Sequence, residues 1–343
     1  MITVLLTDGE FTGMIRALRE IDGIRIIGFG SSSDVAHQVM LDGYYVAPAW
    51  NSSEYISFLI DIISKEQVDY VFPVVTASLE LMAGAADEIR EKTGAVVITS
   101  SPEAIAGAND KGRLFKLLSG NALTSELVTE FAVVETVGEA WDNLRFQVMK
   151  PCIGENREGF IKIVTDDEWQ SALLAGETSG ITCPSVLRMI DRSKRFDVPR
   201  LMMPYLPGQE WDCDILVRRG RIISVTIRKN SAMFGGLSSC TETAFDQRVF
   251  DACQRIVDVT GLEYLNCISF KEDVNGDLKL LEINPRAMGS IHVSSLGGNN
   301  LVKRLFEVLR GNDTEDLRIT PSGIRTSLYY DILTLPTKGG SEK

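Results

Sequence analysis

Over residues 2–101, short apolar runs rich in β-branched side chains alternate with stretches of helical periodicity, a rhythm that leaves few folds open. The apolar runs lie at 2–6, 24–28, 70–75 and 95–99, and helical patterns at 13–21, 55–65 and 79–93 separate them. A helix after each strand carries the chain back to its starting edge, so the strands pair in parallel and the helices cover the sheet. The turn Asp8-Gly9-Glu10-Phe11-Thr12-Gly13 stands where a doubly wound sheet places a ligand loop, yet it lacks a full G-x-G-x-x-G spacing. Its glycines serve equally well to ease a tight strand-to-helix turn.

The pattern changes at Ser100-Ser101-Pro102, a helix entrance, after which 103–118 reads as one helix containing Asp110-Lys111. Beyond the linker 120–124, a strand at 146–151, a polar loop at 152–159 and a returning strand at 160–164 precede a helix at 166–175 capped by Thr165 or Asp166. A glycine-bearing loop between two strands, with a helix behind it, suits a lid. From residue 200 onward strands dominate, at 201–205, 210–217, 221–228, 265–271 and 278–283, with hairpin turns at 217–221 and 273–277 and a helix at 245–260. This predicts an antiparallel sheet on helices, closed by a helix at 300–310, with a polar tail at 337–343 that frays. The expected class is α/β (α+β), with a Rossmann-like domain at 1–100, a lid module at 101–195 and a sheet module at 196–336.

Bulk properties narrow the chemistry. The 343 residues, 44% hydrophobic, bury a substantial core without covalent staples. A net charge of −12 works against non-specific attraction to nucleic acid or acidic membranes, so cationic groups must be locally concentrated to hold an anion. Six scattered cysteines without a C-x-x-C pair argue against a zinc module and for a reduced environment. With no export-type N-terminus and no stretch long enough to span a bilayer, the expected location is cytoplasmic. Only His37 and His292 are present, which excludes a multi-histidine metal site and leaves Lys, Arg, Glu, Asp and Asn to carry any chemistry.

The run Leu280-Leu281-Glu282-Ile283-Asn284-Pro285-Arg286 puts a carboxylate, an amide oxygen and a guanidinium at the end of one apolar strand. Glu282 and Asn284, two residues apart, point to one face, where two oxygens can hold Mg²⁺ while water and phosphate fill its other positions. Arg286 adds a rigid fork for a phosphoryl oxygen. Lys150 ends an apolar strand before Pro151 and the loop 152–159, a cation beside a backbone-rich turn that suits a triphosphate tail. In 203–210 an apolar strand breaks at Pro207-Gly208, then resumes with Glu210, Asp212 and Asp214 on one face. Arg228-Lys229 can supply the positive charge those acids lack, or can be a solvated strand exit.

Taken in order, these pieces resemble the ATP-grasp superfamily over nearly the whole chain, in the group similar to the large subunit of carbamoyl-phosphate synthase. The resemblance implies that Asp110-Lys111 and Lys150-Pro151 supply two phosphate-side lysines, that Gly154 and Gly159 belong to a glycine-bearing lid, and that Met203, Pro204, Tyr205 and Leu206 form a hinge meeting adenine through backbone groups. It implies further that Glu210 meets ribose and that Glu282 and Asn284 bind the metal. The first metal position, an acid or glutamine in that family, is Ser269 here, with Asn266 and Glu272 nearby. Arg228, Arg286, Ser290 and His292 follow strands that would hold the γ-phosphate and are the substrate-side candidates, with Lys150, Arg228 and Arg286 as catalytic groups.

The implied activity joins a small carboxylate to an amine or thiol through an acylphosphate, with ATP and Mg²⁺ (or Mn²⁺) and release of ADP and phosphate. Its partners are small molecules, not nucleic acid or membrane, and a homodimer is the one assembly left open. Three rivals stand beside it: a unit forming carboxyphosphate or carbamoyl phosphate, a nucleotide-binding protein without turnover, and a nicotinamide-dependent oxidoreductase built on the first domain.

Overall fold

The structure is a computed structural model that describes residues 1–7, 12–154, 158–234, 237–312, 316–328, 332 and 334–335, the side chains of 232–238 excepted. Glu155, Asn156 and Arg157 of the expected lid, residues 8–11 of the first turn and the tail 337–343 lie outside the described residues.

The alternation over the first hundred residues becomes a five-stranded sheet in the order Gly43–Val46, Ile24–Gly30, Ile2–Thr7, Tyr70–Pro73, Val96–Val97, parallel throughout. Ile2–Thr7 is apolar on consecutive residues because both its faces are covered. Val4 and Leu6 meet Met14 and Leu18 of helix Thr12–Arg19 together with Leu301, Leu305 and Phe306 of helix Leu301–Leu309. Leu5 faces the opposite way, toward Leu59 of helix Tyr55–Glu66 and Met82 of helix Leu79–Thr93. One face of this first sheet therefore shares its core with a helix from the far end of the chain.

The second sheet runs Ala132–Thr136, Arg195–Met203, Val148–Pro151, Ile161–Ile163, Ile181–Thr182. Arg195–Met203 corrects the reading of 201–205 as the start of the third sheet: it pairs antiparallel with Val148–Pro151, setting Leu201 opposite Lys150. The chain crosses to the third sheet only after the turn at 204–209. The expected helix at 103–118 is also two helices, Pro102–Asn109 and Lys111–Ser119, broken at Asp110. Asp110 leaves the helical region, and its carboxylate accepts from the N–H groups of Gly112 and Arg113 at 2.8 and 3.1 Å, capping the second helix. Helix Asp166–Ala175 is capped by Thr165, in a reciprocal box with Glu168.

The third sheet orders its strands Leu278–Asn284, Tyr264–Glu272, Glu210–Arg218, Arg221–Phe234, Leu237–Thr243, Arg325–Ser327, antiparallel between neighbours, with Arg318–Ile319 added alongside Arg221–Phe234. One face is a continuous apolar core, where Trp211, Cys213, Ile215, Ile268 and Phe270 meet Val249, Ala252 and Ile256 of helix Gln247–Thr260. The other face is divided. Leu216, Ile223 and Leu265 pack under the first sheet, whereas Glu210, Asp212 and Asp214 form a polar surface farther along the same strand.

Where the first and third parts meet, helix Thr12–Arg19 lies so close to the loop after Asn284 that a Cβ on Gly13 would sit 1.9 Å from the Gly289 carbonyl oxygen. Gly13→Ala is expected to lower stability by about 1–3 kcal/mol through overpacking against backbone. Gly84→Ala, in helix Leu79–Thr93 with open space around its Cβ, is expected to be neutral or to stabilise by up to about 1 kcal/mol. Urea unfolding of both variants checks this, and a Gly13→Ala midpoint equal to wild type would contradict the close approach.

Candidate active site

The site lies where the second sheet, the helix opened by Lys111 and the edge strand Leu278–Asn284 of the third sheet converge, and a backbone irregularity sets its chemistry. Along Leu278–Asn284, Phe270 pairs with Leu280 while the adjacent Ser269 pairs with Glu282, so Leu281 is an extra residue in the ladder. Such a bulge re-aims the side chains beyond it. Without it, Leu280 and Glu282 would share a face; with it, Leu280 stays in the core and Glu282 and Asn284 turn to the polar side. The bulge also leaves the Leu281 carbonyl available to the buried ammonium of Lys150, whose Nζ donates to it at 2.7 Å.

Lys111 joins them because the chain breaks at Asp110. Its backbone N–H donates to Cys152 O at 2.8 Å, tying the helix start to the lid loop. Its Nζ donates to Gly154 O at 2.9 Å and lies 3.3 Å from Glu282 Oε2. Lys150 is only 8% exposed. Burial pushes its pKa down to about 8, a shift that Glu282 opposes and Lys111 reinforces. Burial raises the carboxyl of Glu282, but the charges of Lys111 and Lys150 outweigh it and hold the group below its ordinary value. Two lysines thus converge on one carboxylate whose side chain keeps 31% of its surface exposed.

Across the polar face the side chains run in rows. Arg228, Asp212, Ser269 and Glu282 occupy one row over four neighbouring strands, with Asp214, Cys267 and Asn284 in the row beside it. Asn284 Nδ2 is 3.5 Å from Glu282 Oε1, so an acid and an amide stand side by side. Hard oxygen donors of this kind suit Mg²⁺ or Mn²⁺. Among the described residues no group of three His, Cys, Asp or Glu side chains could hold a metal. A cation bound here would need further oxygens, from phosphate or water, to complete its coordination.

The hinge residues lie at the edge between the sheets. Met203 and Leu206 are buried, Tyr205 is exposed and its N–H donates to Gln147 Oε1 at 3.2 Å, and Pro204 joins them. Lys162 Nζ sits 4.5 Å and Lys271 Nζ 5.8 Å from the centre of the Tyr205 ring. Lys271 also lies 3.4 Å from Glu210 Oε2. Gly208 allows the chain to pass: its N–H donates to Glu272 O at 3.0 Å, and a Cβ there would come within 2.7 Å of the Glu272 side chain. Gly154 and Gly159 both have positive φ, and at Gly159 a Cβ would also press on Pro151.

The expected substrate-side groups have partners within the protein. Arg228 is 1% exposed, and its guanidinium lies 2.9 Å from Asp214 and 3.9 Å from Asp212. Burial pushes the Asp214 carboxyl up against the attraction of Arg228. Ser269 donates to Asp212 Oδ1 at 2.6 Å. Arg286 is carried past the strand end to the first domain, where it donates to Thr76 Oγ1 at 3.3 Å and to Ala287 O at 3.2 Å. His292 faces Glu20 of the first domain, with Nε2 3.1 Å from its Oε1, and the Ser290 carbonyl accepts from Val293 in the turn that opens helix His292–Leu296. The sequence reading set Asp212 on one face with Glu210 and Asp214 but singled out neither Lys162 nor Lys271. For Lys271 the signal was the same two-residue alternation, which places it with Ser269 on one face.

Among the described residues, no helix is long and apolar enough to cross a membrane. A family model described as "ATP-grasp in the biosynthetic pathway with Ter operon" matches residues 197–330. No curated protein matches the sequence. Among solved structures, the chain is similar to an L-amino acid ligase from Bacillus licheniformis, with TM-score 0.63 and 14% identity over 93% of this chain and 77% of that one. It is also similar to N5-carboxyaminoimidazole synthetase from Staphylococcus aureus complexed with ADP (TM-score 0.60, 16% identity, 86% and 73% covered). A third likeness is to the biotin carboxylase domain of 2-oxoglutarate carboxylase from Hydrogenobacter thermophilus, in complex with MgADP, ADP and bicarbonate (TM-score 0.63, 16% identity, 92% and 71% covered). The chain therefore has the ATP-grasp fold, and within it residues 197–330 match the family model.

Proposed function

We propose that the protein is an ATP-dependent ligase that activates a small carboxylate as an acylphosphate and passes the acyl group to an amine or a thiol, releasing ADP and phosphate. The observation that carries this reading is the convergence of Lys111 and Lys150 on Glu282, on the strand that also presents Asn284. Attack of a carboxylate on a γ-phosphate brings two anions together, so the chain must concentrate positive charge where that charge gathers. Lys111 and Lys150 do so from two elements of one module, the start of a helix and a strand of the second sheet. Met203 to Leu206, with Glu210, hold the adenosine end, while the loop carrying Gly154 and Gly159 covers the phosphates and keeps water from the acylphosphate. Glu282 and Asn284, with Ser269 nearby, are the residues to hold Mg²⁺ or Mn²⁺, whose chemistry is to neutralise phosphate charge. Arg286 and Ser290, beyond that strand, are the remaining substrate-side groups. Arg228 is left out of contact with substrate because it is buried.

The acid activated can be as small as bicarbonate, a reading favoured by the likeness to a carboxylase domain complexed with that anion. Incubation with Mg-ATP, pooled carboxylic acids including bicarbonate, and hydroxylamine distinguishes these cases: ADP with a hydroxamate supports an organic acid, and ADP dependent on bicarbonate supports carboxyphosphate. AMP and pyrophosphate as products would overturn both. Lys150→Ala and Glu282→Ala are each expected to lose at least about a hundredfold in turnover with unchanged circular dichroism. Wild-type rates in both would remove the assignment.

The depressed pKa of Lys150 gives a pH signature. Its folded-state value, about 8, lies below the ordinary lysine value of 10.5. The buried charge therefore costs stability below about pH 8, and that cost fades as pH rises toward 10.5. For a phosphate-bearing ligand the sign is opposite, because only the protonated amine attracts it. ADP affinity is expected to fall by up to roughly tenfold per pH unit above about 8, and Lys150→Arg to flatten that fall. Calorimetric titrations between pH 7 and 9.5 decide it, a flat wild-type profile being the contrary result.

A further inference from the structure

One acid on the polar face, Asp212, has no part in the function as proposed. Asp212, Ser269 and Glu282 stand directly opposite one another over three neighbouring strands. Ser269 Oγ donates its proton to Asp212 Oδ1 at 2.6 Å. The other carboxylate oxygen accepts from Asn230 Nδ2 at 2.9 Å and faces the Arg228 guanidinium at 3.9 Å, so Asp212 is fixed from both sides. A hydroxyl has a single proton, and once that proton is committed to a carboxylate the oxygen offers only lone pairs elsewhere and gains negative character. Ser269, between Asp212 and Glu282, is therefore more than a neutral residue in a row of charged ones.

We propose that Asp212 is a positioning residue for a divalent cation, turning Ser269 into an acceptor-only oxygen that joins Glu282 and Asn284 in holding Mg²⁺ or Mn²⁺. The shortage of clustered acids makes such help necessary, since among the described residues no three carboxylate, thiol or imidazole groups gather to hold a metal. Carboxylate partners of this kind, one bond removed from the metal, orient the ligand and raise its basicity. The inference rests on the nucleotide-site reading above, and its test separates the two.

The full chain with ADP present is titrated with Mn²⁺, and free Mn²⁺ is read by electron paramagnetic resonance; metal-free ADP binding is measured alongside by calorimetry. Asp212→Asn is expected to weaken Mn²⁺ by about 10–100-fold and to leave metal-free ADP binding within about twofold of wild type. Ser269→Ala is expected to match it, and the double variant to be no weaker than Ser269→Ala alone, because Asp212 acts through the hydroxyl. Wild-type Mn²⁺ affinity in Asp212→Asn, or losses that add in the double variant, would overturn this role while leaving the functional reading intact. Loss of metal-free ADP binding in Asp212→Asn would also overturn it, assigning Asp212 to the fold. A wild-type protein that binds neither ADP nor Mn²⁺ would overturn both readings at once.

Discussion

Two buried lysine ammonium groups beside each other repel, and the site exists because Glu282 stands between them. Lys111 lies 3.3 Å from that carboxylate, and Lys150 is anchored on the carbonyl just before it. Burial, with a smaller push from Lys111, makes Lys150 hold its proton less tightly than an ordinary lysine. The cluster is balanced rather than relaxed, and an incoming polyphosphate would compete with Glu282 for both cations. Three separate backbone devices bring the groups together: the helix break at Asp110, the strand end at Lys150 and the bulge at Leu281.

The polar face of the third sheet extends the same principle. Its acids are spaced two residues apart on one strand and would repel one another if left alone. Arg228 from the neighbouring strand answers Asp214 and Asp212, Lys271 from the other side answers Glu210, and Asn230 bridges Glu210 and Asp212. Removing one member of a buried pair strands the other's charge, which is more costly than the pair is stabilising. Arg228 therefore belongs to the framework under the site.

The fold was legible where periodicity is strong. The alternation of apolar runs and helical patterns over the first hundred residues specifies the parallel sheet, because apolar residues on both faces of Ile2–Thr7 demand cover on both sides. Lys150, Glu282 and Asn284 were singled out by residue type and Lys111 by the family resemblance, and the fold brings the four together. Other features escaped. Asp110 sits in a helical pattern, and only its capping geometry reveals a break. The strand Arg195–Met203 joins the second sheet through hydrogen bonds to residues some fifty positions away, which no local pattern encodes.

From sequence alone came the class of the fold, the acidic balance that forces cations to be concentrated, and the residue types that suit a triphosphate and a hard metal. Tertiary structure alone decided which of them meet. Arg228 carries the same charge as Lys150 and also ends an apolar run of the sequence, yet one is sealed against Asp214 while the other reaches the bulged strand. Side-chain charge is a local property that a sequence states outright. Burial, register and the one-residue bulge that turns Glu282 outward arise from pairing between distant segments, and they appear only once the chain has folded.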